Sequence, residues 1–466
     1  MEALAKIKAR LARKEKEVEE LTARLAQLEK GSSGNQTVSD LHTKVTRLPP
    51  LEAKTSLTNE DILRYSRQLI VMELGVKGSV FLSPVSLATN GNGGVGSPLP
   101  WFIIMIINTG RLGLLDYDEV EISNLHRQIL HAEVRRGMSK SLSAATVLHQ
   151  LNSSVEYIPY HLQLNRENAL DLIQLYDIIA DCSDNVPTRY LVNDACVLSG
   201  KPLVSASALR MEGQLTVYNY NGGPCYRCLY PKPPPPETVT NCADGGVLGI
   251  VPGIMGSLQA LEVLKIASGI GLQTSYSQQM LMFDAVESRF RTIKLRPKQA
   301  DCAVCGENPT VKELLDYEAF CGSAATDKCR TLHLLTSEQR ISVTEYKRIL
   351  DNQVPHVLVD VRSQMEVDIC HLPHSDATDI PLIKLEEKNV DCIKLVLELV
   401  DEIKRSDKEL ASVPVYVICK LGNDSQKAVK VLREMSGNEL PHLLVKDIQG
   451  GLMAWAHKID ATFPQY

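Results

Sequence analysis

Short apolar runs that end in polar residues recur between positions 56 and 270. Helical stretches separate them, and this alternation is typical of strands joined by helices. The pattern therefore predicts an α/β fold with a mostly parallel sheet that is covered on both faces. The predicted strands are 112–118, 156–164, 176–184, 201–208 and 213–220.

A smaller α/β unit is predicted at 340–466, after a change of composition at about 307–340. Apolar strands at 355–362 and 413–420 precede a helical pattern at 425–435. This stretch is long enough to fold alone, since domains begin at roughly 50 residues. The segment before it, 56–330, is predicted to form one larger domain.

The N-terminal residues follow a different pattern. Leucine, isoleucine and valine recur near heptad spacing between charged residues at 1–30, which predicts a coiled-coil-like helix. Residues 31–55 are polar and include Pro49 and Pro50, so we interpret them as a linker.

The stretch 86–107 departs from the pattern around it. Residues 86–90 make a weak strand, and 98–107 contain Pro100 and many β-branched residues, which disfavour a helix. The stretch between them, GNGGVG at 91–96, is similar to a G-x-G-x-x-G loop, whose backbone N–H groups approach a phosphate. A surface glycine turn is the alternative. Together with the predicted parallel sheet, the loop favours a Rossmann-like nucleotide site. Because residues 86–90 and 98–107 match a strand and a helix poorly, we expect them to weaken nucleotide binding at this site.

The composition of the chain argues against several classes of protein. Lys and Arg total 50 against 56 Asp and Glu, a net charge of -6, which argues against a basic nucleic-acid-binding domain. The charged N-terminus has no apolar core typical of a secretory signal, and the longest apolar run, 101–107, is too short to span a bilayer. The sequence has twelve cysteines and no predicted secretory signal, which favours metal binding or catalysis over a disulfide scaffold. The expected compartment is the reducing cytosol.

Acidic and basic residues follow the glycine loop. Asp116 ends a predicted strand about 20 residues later, where a ribose-binding carboxylate is expected, and Asp118 is a candidate for metal or nucleotide. A polar cluster at 121–130 includes Arg127, and Lys140 comes soon after it. Arginine and lysine of this kind suit a triphosphate, although a charged helix face is the alternative.

Two C-x-x-C pairs predict a zinc site. They are Cys225 with Cys228 and Cys302 with Cys305. Each pair presents two thiolates, and four thiolates close a tetrahedral structural site. Four unrelated cysteines are the alternative.

Two further cysteines are candidate nucleophiles. Cys242 lies in a polar segment after a proline-rich loop, where an inert cysteine is the simpler interpretation. Cys419 ends a predicted strand and begins a short loop before a helix, a place where backbone N–H groups stabilise a thiolate or persulfide. A cysteine-dependent phosphatase needs an arginine six residues after the cysteine, but that residue is Ser425, which favours sulfur transfer. A buried structural cysteine is the alternative.

These motifs, in this order, resemble the ubiquitin-activating-enzyme-like adenylyltransferases. The resemblance rests on RYSRQ at 64–68, the GNGGVG loop, LLDYDEVEISNLHRQ at 114–128, GMSKS at 137–141, DCSDN at 181–185 and the paired C-x-x-C motifs. PHVLVDVR, the Cys419 loop and QGGLMAW at 449–455 resemble a rhodanese domain. A chain that joins these two domains is similar to a family of combined adenylyltransferases and sulfurtransferases. The resemblance covers about residues 56–466.

The resemblance implies an enzyme that activates the C-terminal glycine of a ubiquitin-like sulfur carrier with ATP and Mg²⁺. Persulfide sulfur then gives a thiocarboxylate, with Cys242 and Cys419 as the catalytic cysteines and one structural Zn²⁺. Arg67 is implied to reach into the neighbouring subunit's site in a homodimer. The implied nucleotide residues are Arg67, Gly94, Asp116, Ser123, Asn124, Leu125, His126, Arg127, Lys140, Asp184 and Asn185.

The implied carriers are the small molybdopterin synthase subunit and a ubiquitin-related modifier that feeds tRNA 2-thiolation. A persulfide-donating desulfurase is the implied sulfur source, and neither a membrane nor direct nucleic-acid binding is expected. Two alternatives stay open on sequence alone. One is a degenerate copy that binds the carrier and transfers sulfur but adenylates poorly; the other is a nicotinamide-dependent oxidoreductase, which the cysteine pairs disfavour.

Overall fold

The computed structural model divides into two compact units, Met1–Asp327 and Lys328–Tyr466, each considered by itself below. The predicted helix at 1–30 and most of the predicted linker at 31–55 lie outside the described residues. The structure describes residues 48–52, 54–82, 85–91, 93–104, 110–235, 238–239, 245–326, 332–372, 377–406, 410, 412–435 and 444–466.

The first unit is built on an eight-stranded sheet with the order β3-β2-β1-β4-β5-β6-β7-β8. The first five strands in this order pair in parallel, and β6, β7 and β8 continue the sheet antiparallel. The mostly parallel α/β sheet is therefore confirmed. The strands are β1 (Ser86–Asn90), β2 (Arg111–Leu115), β3 (Glu156–Tyr160), β4 (Ile178–Asp181), β5 (Leu203–Leu209), β6 (Glu212–Tyr218), β7 (Gln279–Asp284) and β8 (Arg289–Lys294).

Helices cover both faces of this sheet. Consecutive strand residues point to opposite faces, and Ile178 and Ile179 accordingly belong to two different apolar cores. The helices are Asn59–Leu69, Gly75–Phe81, Pro98–Ile104, Lys140–Leu151, Ala169–Gln174, Val186–Leu198, Tyr226–Leu229, Ile250–Ala267, Gly271–Thr274 and Tyr317–Cys321, with 3-10 turns at Ile122–Asn124 and Glu133–Arg135.

The expectation that residues 98–107 disfavour a helix is wrong for Pro98–Ile104, which is helical. Pro98 and Pro100 stand in its first turn, where a missing N–H breaks no intrahelical hydrogen bond. Leu99 and Ile103, four residues apart, are buried in the same core, so tertiary packing outweighs the low helix propensity of the sequence.

A long apolar helix, Ile250–Ala267, packs against Pro98–Ile104 and β5. Its 18 residues are long and apolar enough to cross a bilayer by length and composition, although the longest uninterrupted apolar run of the sequence is 101–107. Half of this helix is buried inside the unit, which is common for a core helix of a globular domain.

The second unit has a five-stranded sheet that is parallel throughout, with the order β11-β10-β12-β13-β9. Its strands are β9 (Arg340–Ile341), β10 (Val357–Asp360), β11 (Ala377–Asp379), β12 (Val415–Ile418) and β13 (Val445–Ile448). Its helices are Val343–Asp351, Gln364–Val367, Leu382–Glu386, Val390–Ser406, Asp424–Met435 and Gly451–Lys458, with a 3-10 turn at Ser337–Gln339.

Candidate active sites

A pocket in the first unit opens at the carboxyl ends of β1, β2 and β4. The strand order reverses at β1, because β2 and β3 lie on one side of it and β4 and β5 on the other. Loops leave such a switch point in opposite directions and open a crevice, which is where ligands bind in open parallel sheets. Gly91 follows β1, Asp116 follows β2 and Cys182 follows β4 along this edge.

The glycine loop fits tightly between its neighbours. Gly91 has φ of 84°, and its N–H donates to the carbonyl of Leu115 at 2.9 Å. A Cβ at Gly94 would lie 3.0 Å from Arg127 Cδ and 3.2 Å from Pro252 Cβ, so a side chain there would crowd both neighbours. The missing side chain leaves the backbone of Gly94 in the pocket wall.

The helix Ile250–Ala267 supports the loop from behind. A Cβ at Gly256 would overlap the carbonyl oxygen of Val95 and lie 3.1 Å from Pro98 Cβ. The helix therefore approaches the loop closely because residue 256 is glycine.

Charged side chains meet at the other wall of the pocket. Lys140 Nζ donates to Asp118 Oδ2 at 2.9 Å, and the N–H of Asp118 donates to Asp116 Oδ1 at 2.9 Å. Arg127 Nη2 donates to Asn124 Oδ1 at 2.6 Å. The wall thus combines two cations with carboxylates and an amide, the groups that bind a phosphorylated ligand and its counter-ion.

The structure brings most of the predicted nucleotide residues to this pocket. Those that line it are Gly94, Asp116, Asn124, Arg127, Lys140, Asp184 and Asn185. Ser123, Leu125 and His126 belong to the same 3-10 turn region but do not line the pocket, and Ser123 and His126 are exposed. Arg67 is exposed on the helix Asn59–Leu69 and is also absent from the lining. The functional roles of all these residues stay predictions.

Asn185 caps a helix whose amino end lies at the pocket. Its side-chain oxygen accepts the N–H of Thr188 at 3.0 Å and caps the helix Val186–Leu198. The amino end of that helix, with its positive dipole end, therefore lies at the pocket, where it favours an anion.

Several residues of the pocket lining or its floor were not among the predicted site residues. Asn90, Gln128 and Arg189 line the pocket, and Asp181 lies beneath it, fully buried, where it accepts from Asn90 Nδ2 at 3.2 Å. Burial raises the pKa of Asp181 above its ordinary value. Asp181 ends β4 as Asp116 follows β2, so the signal used for Asp116 was also present for Asp181.

The paired C-x-x-C motifs meet in one buried cluster. The sulfur of Cys225 lies 3.8 Å from that of Cys228 and 3.6 Å from that of Cys302, and Cys228 lies 3.4 Å from Cys305. All four sulfurs lie within 4.8 Å of one another. Bonds of about 2.3 Å to a tetrahedral Zn²⁺ separate sulfurs by about 3.8 Å, so the cluster fits this ion.

A buried ion pair holds the first knuckle to the sheet domain. Arg227, between Cys225 and Cys228, donates to both carboxylate oxygens of Asp194 at 2.8 to 3.0 Å. Tyr317 also donates to Asp194, at 2.8 Å. The pair is fully buried and hydrogen-bonded, so removal of one partner would leave an uncompensated charge.

Cys419 follows β12 in the second unit and lies in a loop that partly encloses its sulfur. The N–H of Gly422 donates to the sulfur at 3.1 Å, and the hydroxyl of Ser425 lies 3.4 Å from it. Burial raises the pKa of the Cys419 thiol, and these hydrogen bonds lower it in part. The position after a strand, inside a loop and before the helix Asp424–Met435, is the one that the sequence predicted; the catalytic role stays a prediction.

Two segments near the C-terminus contact the Cys419 loop. Gly451 has φ of 55° and lies so close that a Cβ would overlap the Cys419 carbonyl, which accepts from Leu452 N–H at 3.0 Å. Lys420 Nζ lies 4.6 Å from the ring centre of Tyr466, whose hydroxyl accepts from Arg362 at 2.8 Å.

The segment that enters the second unit also contacts this loop. Gln426 is fully buried and donates to the carbonyls of Leu332 at 2.8 Å and Gly422 at 2.6 Å, and it accepts from Leu334 N–H at 2.9 Å. Asn423 accepts from Leu332 N–H at 2.9 Å. The loop conformation thus depends on residues about 90 positions earlier.

Cys242, the other predicted catalytic cysteine, lies outside the described residues.

Family models match both units. The ThiF family model matches residues 65–304, and the Rhodanese-like domain model matches residues 342–458.

Curated relatives match nearly the whole chain. "Adenylyltransferase and sulfurtransferase MOCS3" of Danio rerio is 61% identical over 463 residues, which cover 99% of each chain. The protein of the same name from Sus scrofa is 57% identical over 460 residues, covering 99% of this chain and 98% of that one. Among solved structures, E. coli MccB with ATP is 20% identical, covering 56% of this chain and 77% of that chain, with a TM-score of 0.45.

Proposed function

The chain belongs to the family of adenylyltransferase and sulfurtransferase MOCS3, and from this premise we propose that it makes thiocarboxylates on ubiquitin-like sulfur carriers. The first unit activates the C-terminal glycine of the carrier with ATP, and the second supplies sulfur through Cys419. The supporting observation is that one pocket gathers Asn124, Arg127 and Lys140 beside the glycine loop. We assign this pocket to ATP.

In the activation step, a carrier carboxylate oxygen attacks the α-phosphorus of ATP. A carbon–oxygen–phosphorus linkage forms, and the bond to pyrophosphate breaks. Negative charge crowds on the phosphates in the transition state, and Arg127 and Lys140 reduce this repulsion. Asp184 and Asn185 are the oxygen donors that we assign to Mg²⁺, which supplies further charge neutralisation when bound.

In the sulfur step, the Cys419 thiolate first attacks the sulfane sulfur of a donor and becomes a persulfide. The donor's bond to that sulfur breaks, and its remainder (sulfite, where thiosulfate is the donor) leaves with the electron pair. The terminal persulfide sulfur attacks the activated carbonyl carbon, and AMP leaves. A second thiol, which we assign to Cys242, then attacks the inner sulfur of Cys419. The thiocarboxylate leaves, and the resulting disulfide needs a thiol reductant before the next turnover.

The Cys225–Cys228–Cys302–Cys305 cluster is assigned to one structural Zn²⁺. Four thiolates complete the tetrahedron and leave no open position for chemistry, so the ion's contribution is stability.

We assign a second copy of the chain to the exposed face near Arg67. Leu63, Ile70 and Met72 are 81%, 79% and 95% exposed around this arginine. Exposed large apolar side chains that lie close together in the chain support an interface. In such a homodimer, Arg67 would serve the neighbouring subunit's nucleotide.

The proposed carriers are the small molybdopterin synthase subunit and a ubiquitin-related modifier that feeds tRNA 2-thiolation. A desulfurase is the proposed physiological sulfur donor, and the cytosol is the proposed compartment. The alternative, a copy that transfers sulfur but adenylates poorly, is not favoured, because its relatives over the full length share the adenylyltransferase name and the pocket keeps its cations.

The direct test incubates the full chain with ATP, magnesium chloride, thiosulfate, a thiol reductant and a carrier that ends in Gly-Gly. The expected result is replacement of one carboxylate oxygen by sulfur, read as an increase in carrier mass. Omission of ATP is the matched control. Unmodified carrier in the complete reaction, together with no ATP–pyrophosphate exchange, would contradict the proposal.

A further inference from the structure

The carboxyl ends of three neighbouring strands give the first unit's pocket an order. In the sheet, β3 lies beside β2 and β2 beside β1; the glycine loop follows β1, and Asp116 follows β2. The proposed function puts phosphate at the loop and ribose at Asp116, so the base lies farther along this edge, beyond the end of β3. Leu164 follows β3 and lines the pocket there, with only 6% of the residue exposed. A buried apolar side chain of this kind suits the flat face of a base.

Gln163 lines the same end of the pocket and is held at two points. Its backbone carbonyl accepts from Asn168 Nδ2 at 3.0 Å, and its side-chain Nε2 donates to the carbonyl of Ala325 at 2.6 Å. A backbone carbonyl only accepts hydrogen bonds, so the amide turns its NH₂ group toward Ala325. The amide oxygen therefore faces away from Ala325, and no residue that the structure describes donates a hydrogen bond to it.

Ala325 belongs to residues 322–326, which we call the rim segment. The N–H of Ala325 donates to Glu318 Oε1, on the preceding helix, at 2.6 Å. The hydroxyl of Thr326 lies 3.3 Å from that of Tyr117, another residue of the pocket lining. The rim segment is thus fixed on one side to its own helix and on the other to the pocket.

The polar side chains that follow β2 already have partners. Asp118 accepts from Lys140, Asp116 accepts from the N–H of Asp118, and the hydroxyl of Tyr117 contacts the rim segment. The amide oxygen of Gln163 is the acceptor that this end of the pocket offers to a base. Adenine carries an exocyclic amine that donates to such an acceptor, whereas guanine has a carbonyl oxygen at the same ring position, which would face the amide oxygen unfavourably.

We propose that Gln163 selects adenine in this pocket by accepting a hydrogen bond from the exocyclic amine, and that the rim segment positions the Gln163 amide through Ala325. This inference rests on the proposed function for its nucleotide but goes further, because it assigns a specificity-determining residue and its support, which no sequence motif marked. The rim segment also lies outside residues 65–304, the range that the ThiF family model matches.

The first test compares ATP with purine riboside 5′-triphosphate, whose base lacks the exocyclic amine. Calorimetry of the full chain with magnesium chloride gives both affinities. The native chain should bind ATP about tenfold more tightly, the usual effect of one hydrogen bond. In Gln163→Met, which keeps the length of the side chain but removes the amide, ATP should bind about tenfold more weakly, and the affinity for the analogue should stay the same.

The ratio of the two affinities separates recognition from a structural role. A merely structural glutamine would weaken both nucleotides equally when it is replaced and would keep their ratio, and that result would overturn the proposal. Gln163→Ala gives the same expected loss of preference with a smaller side chain, so the test does not depend on one variant. Gln273→Met, at an exposed glutamine that does not line the pocket, is the control and should keep the native preference.

Glu318→Ala tests the rim segment. It removes the acceptor of the Ala325 N–H, so the segment should hold the Gln163 amide less firmly and the preference for ATP should fall. Glu313→Ala, at an exposed glutamate before the same helix, is the control. Added to Gln163→Met, Glu318→Ala should leave ATP affinity unchanged, because the segment acts through Gln163. A full preference in the single variant, or a further loss of ATP affinity in the double variant, would contradict this route.

Failure of the proposed function has a different signature. If neither triphosphate binds and no ATP–pyrophosphate exchange occurs with a carrier, the pocket is not the nucleotide site and both proposals fail. If ATP binds and exchange proceeds but the native chain does not prefer ATP over the analogue, only the assignment of Gln163 fails.

Discussion

Lys140 and Asp118 form an ion pair of 2.9 Å at the wall of the pocket that we assign to ATP, with the lysine side chain almost fully buried. Each charge compensates the other in the free protein. A phosphate that enters the pocket offers Lys140 a second anionic partner, and Asp118 then becomes available to a cation. If this pocket holds ATP and Mg²⁺ as proposed, the pair couples the phosphate end of the ligand to its cation.

Lys140→Met should abolish most adenylation. The methionine fills the space but removes the charge that faces the phosphates, and loss of one such donor costs about 100-fold to 1,000-fold in rate. ATP–pyrophosphate exchange measures the loss, and thiosulfate:cyanide transfer should stay unchanged. Lys294→Met on the exposed strand β8 is the control. Equal exchange rates in both variants would show that the Lys140 charge does not contribute to adenylation.

Cys419→Ala should end sulfur transfer and leave adenylation intact. The sulfur is the only atom at this position that can form a persulfide, and alanine keeps the strand that precedes the loop. Carrier thiocarboxylation and pyrophosphate exchange are measured on the same preparation. Cys392→Ala, a half-buried cysteine of the same unit, is the control. Persistent thiocarboxylation in the Cys419 variant would refute the assignment.

Zinc removal should destabilise the first unit. Four buried thiols without a cation lose the bonds that join the two knuckles, so the melting temperature should fall after chelation. Elemental analysis should find one zinc per chain in the native protein and none in Cys228→Ser. Cys196→Ser, a buried cysteine outside the cluster, should retain its zinc. Protein purified at neutral pH without zinc would contradict the assignment.

Gly256→Ala should weaken ATP binding. The added Cβ would overlap the Val95 carbonyl and push the glycine loop from its position. A displacement of about 1 Å is enough to cost on the order of 100-fold in rate. Calorimetry with ATP and magnesium chloride gives the affinity, and pyrophosphate exchange gives the rate.

Gly253→Ala is the matched control for that experiment. It lies on the same helix, and its Cβ would meet nothing within 4 Å. Alanine there should leave affinity unchanged and stabilise the helix slightly, by up to about 1 kcal/mol. If both alanines leave ATP affinity unchanged, the glycine loop does not depend on the contact at Gly256. The expectation that the segments 86–90 and 98–107 weaken the nucleotide site stays a prediction beside these variants.

The features that could be predicted from the sequence are those that depend on residues close together in the chain. The ends of β2 and β4, the cysteine pairs and the loop after β12 were all visible because each lies within a few residues of a readable signal. The helix at Pro98–Ile104 was misjudged because propensity was weighed without the burial of Leu99 and Ile103. A single sequence does not show which segments of low helix propensity become helical because they pack against the rest of the domain.

Contacts between distant residues could not be predicted from one sequence. Arg340 and Asp447 are 107 residues apart, and each resembles an ordinary surface charge in its own segment. Gln426 has no motif around it that indicates a bond to Leu332. Only the order of the strands, with β9 beside β13, brings the first pair together.

The support of the Cys419 loop has a consequence for modularity. Leu332 and Arg340 precede the region that the Rhodanese-like domain model matches, and Tyr466 follows it. A piece trimmed to residues 342–458 would keep Cys419 and strands β10 to β13. It would lose strand β9 and the contacts that Leu332 and Tyr466 make at the Cys419 loop. The unit that keeps these contacts is therefore larger than the matched domain, and a transplant into another host protein should carry at least residues 332–466.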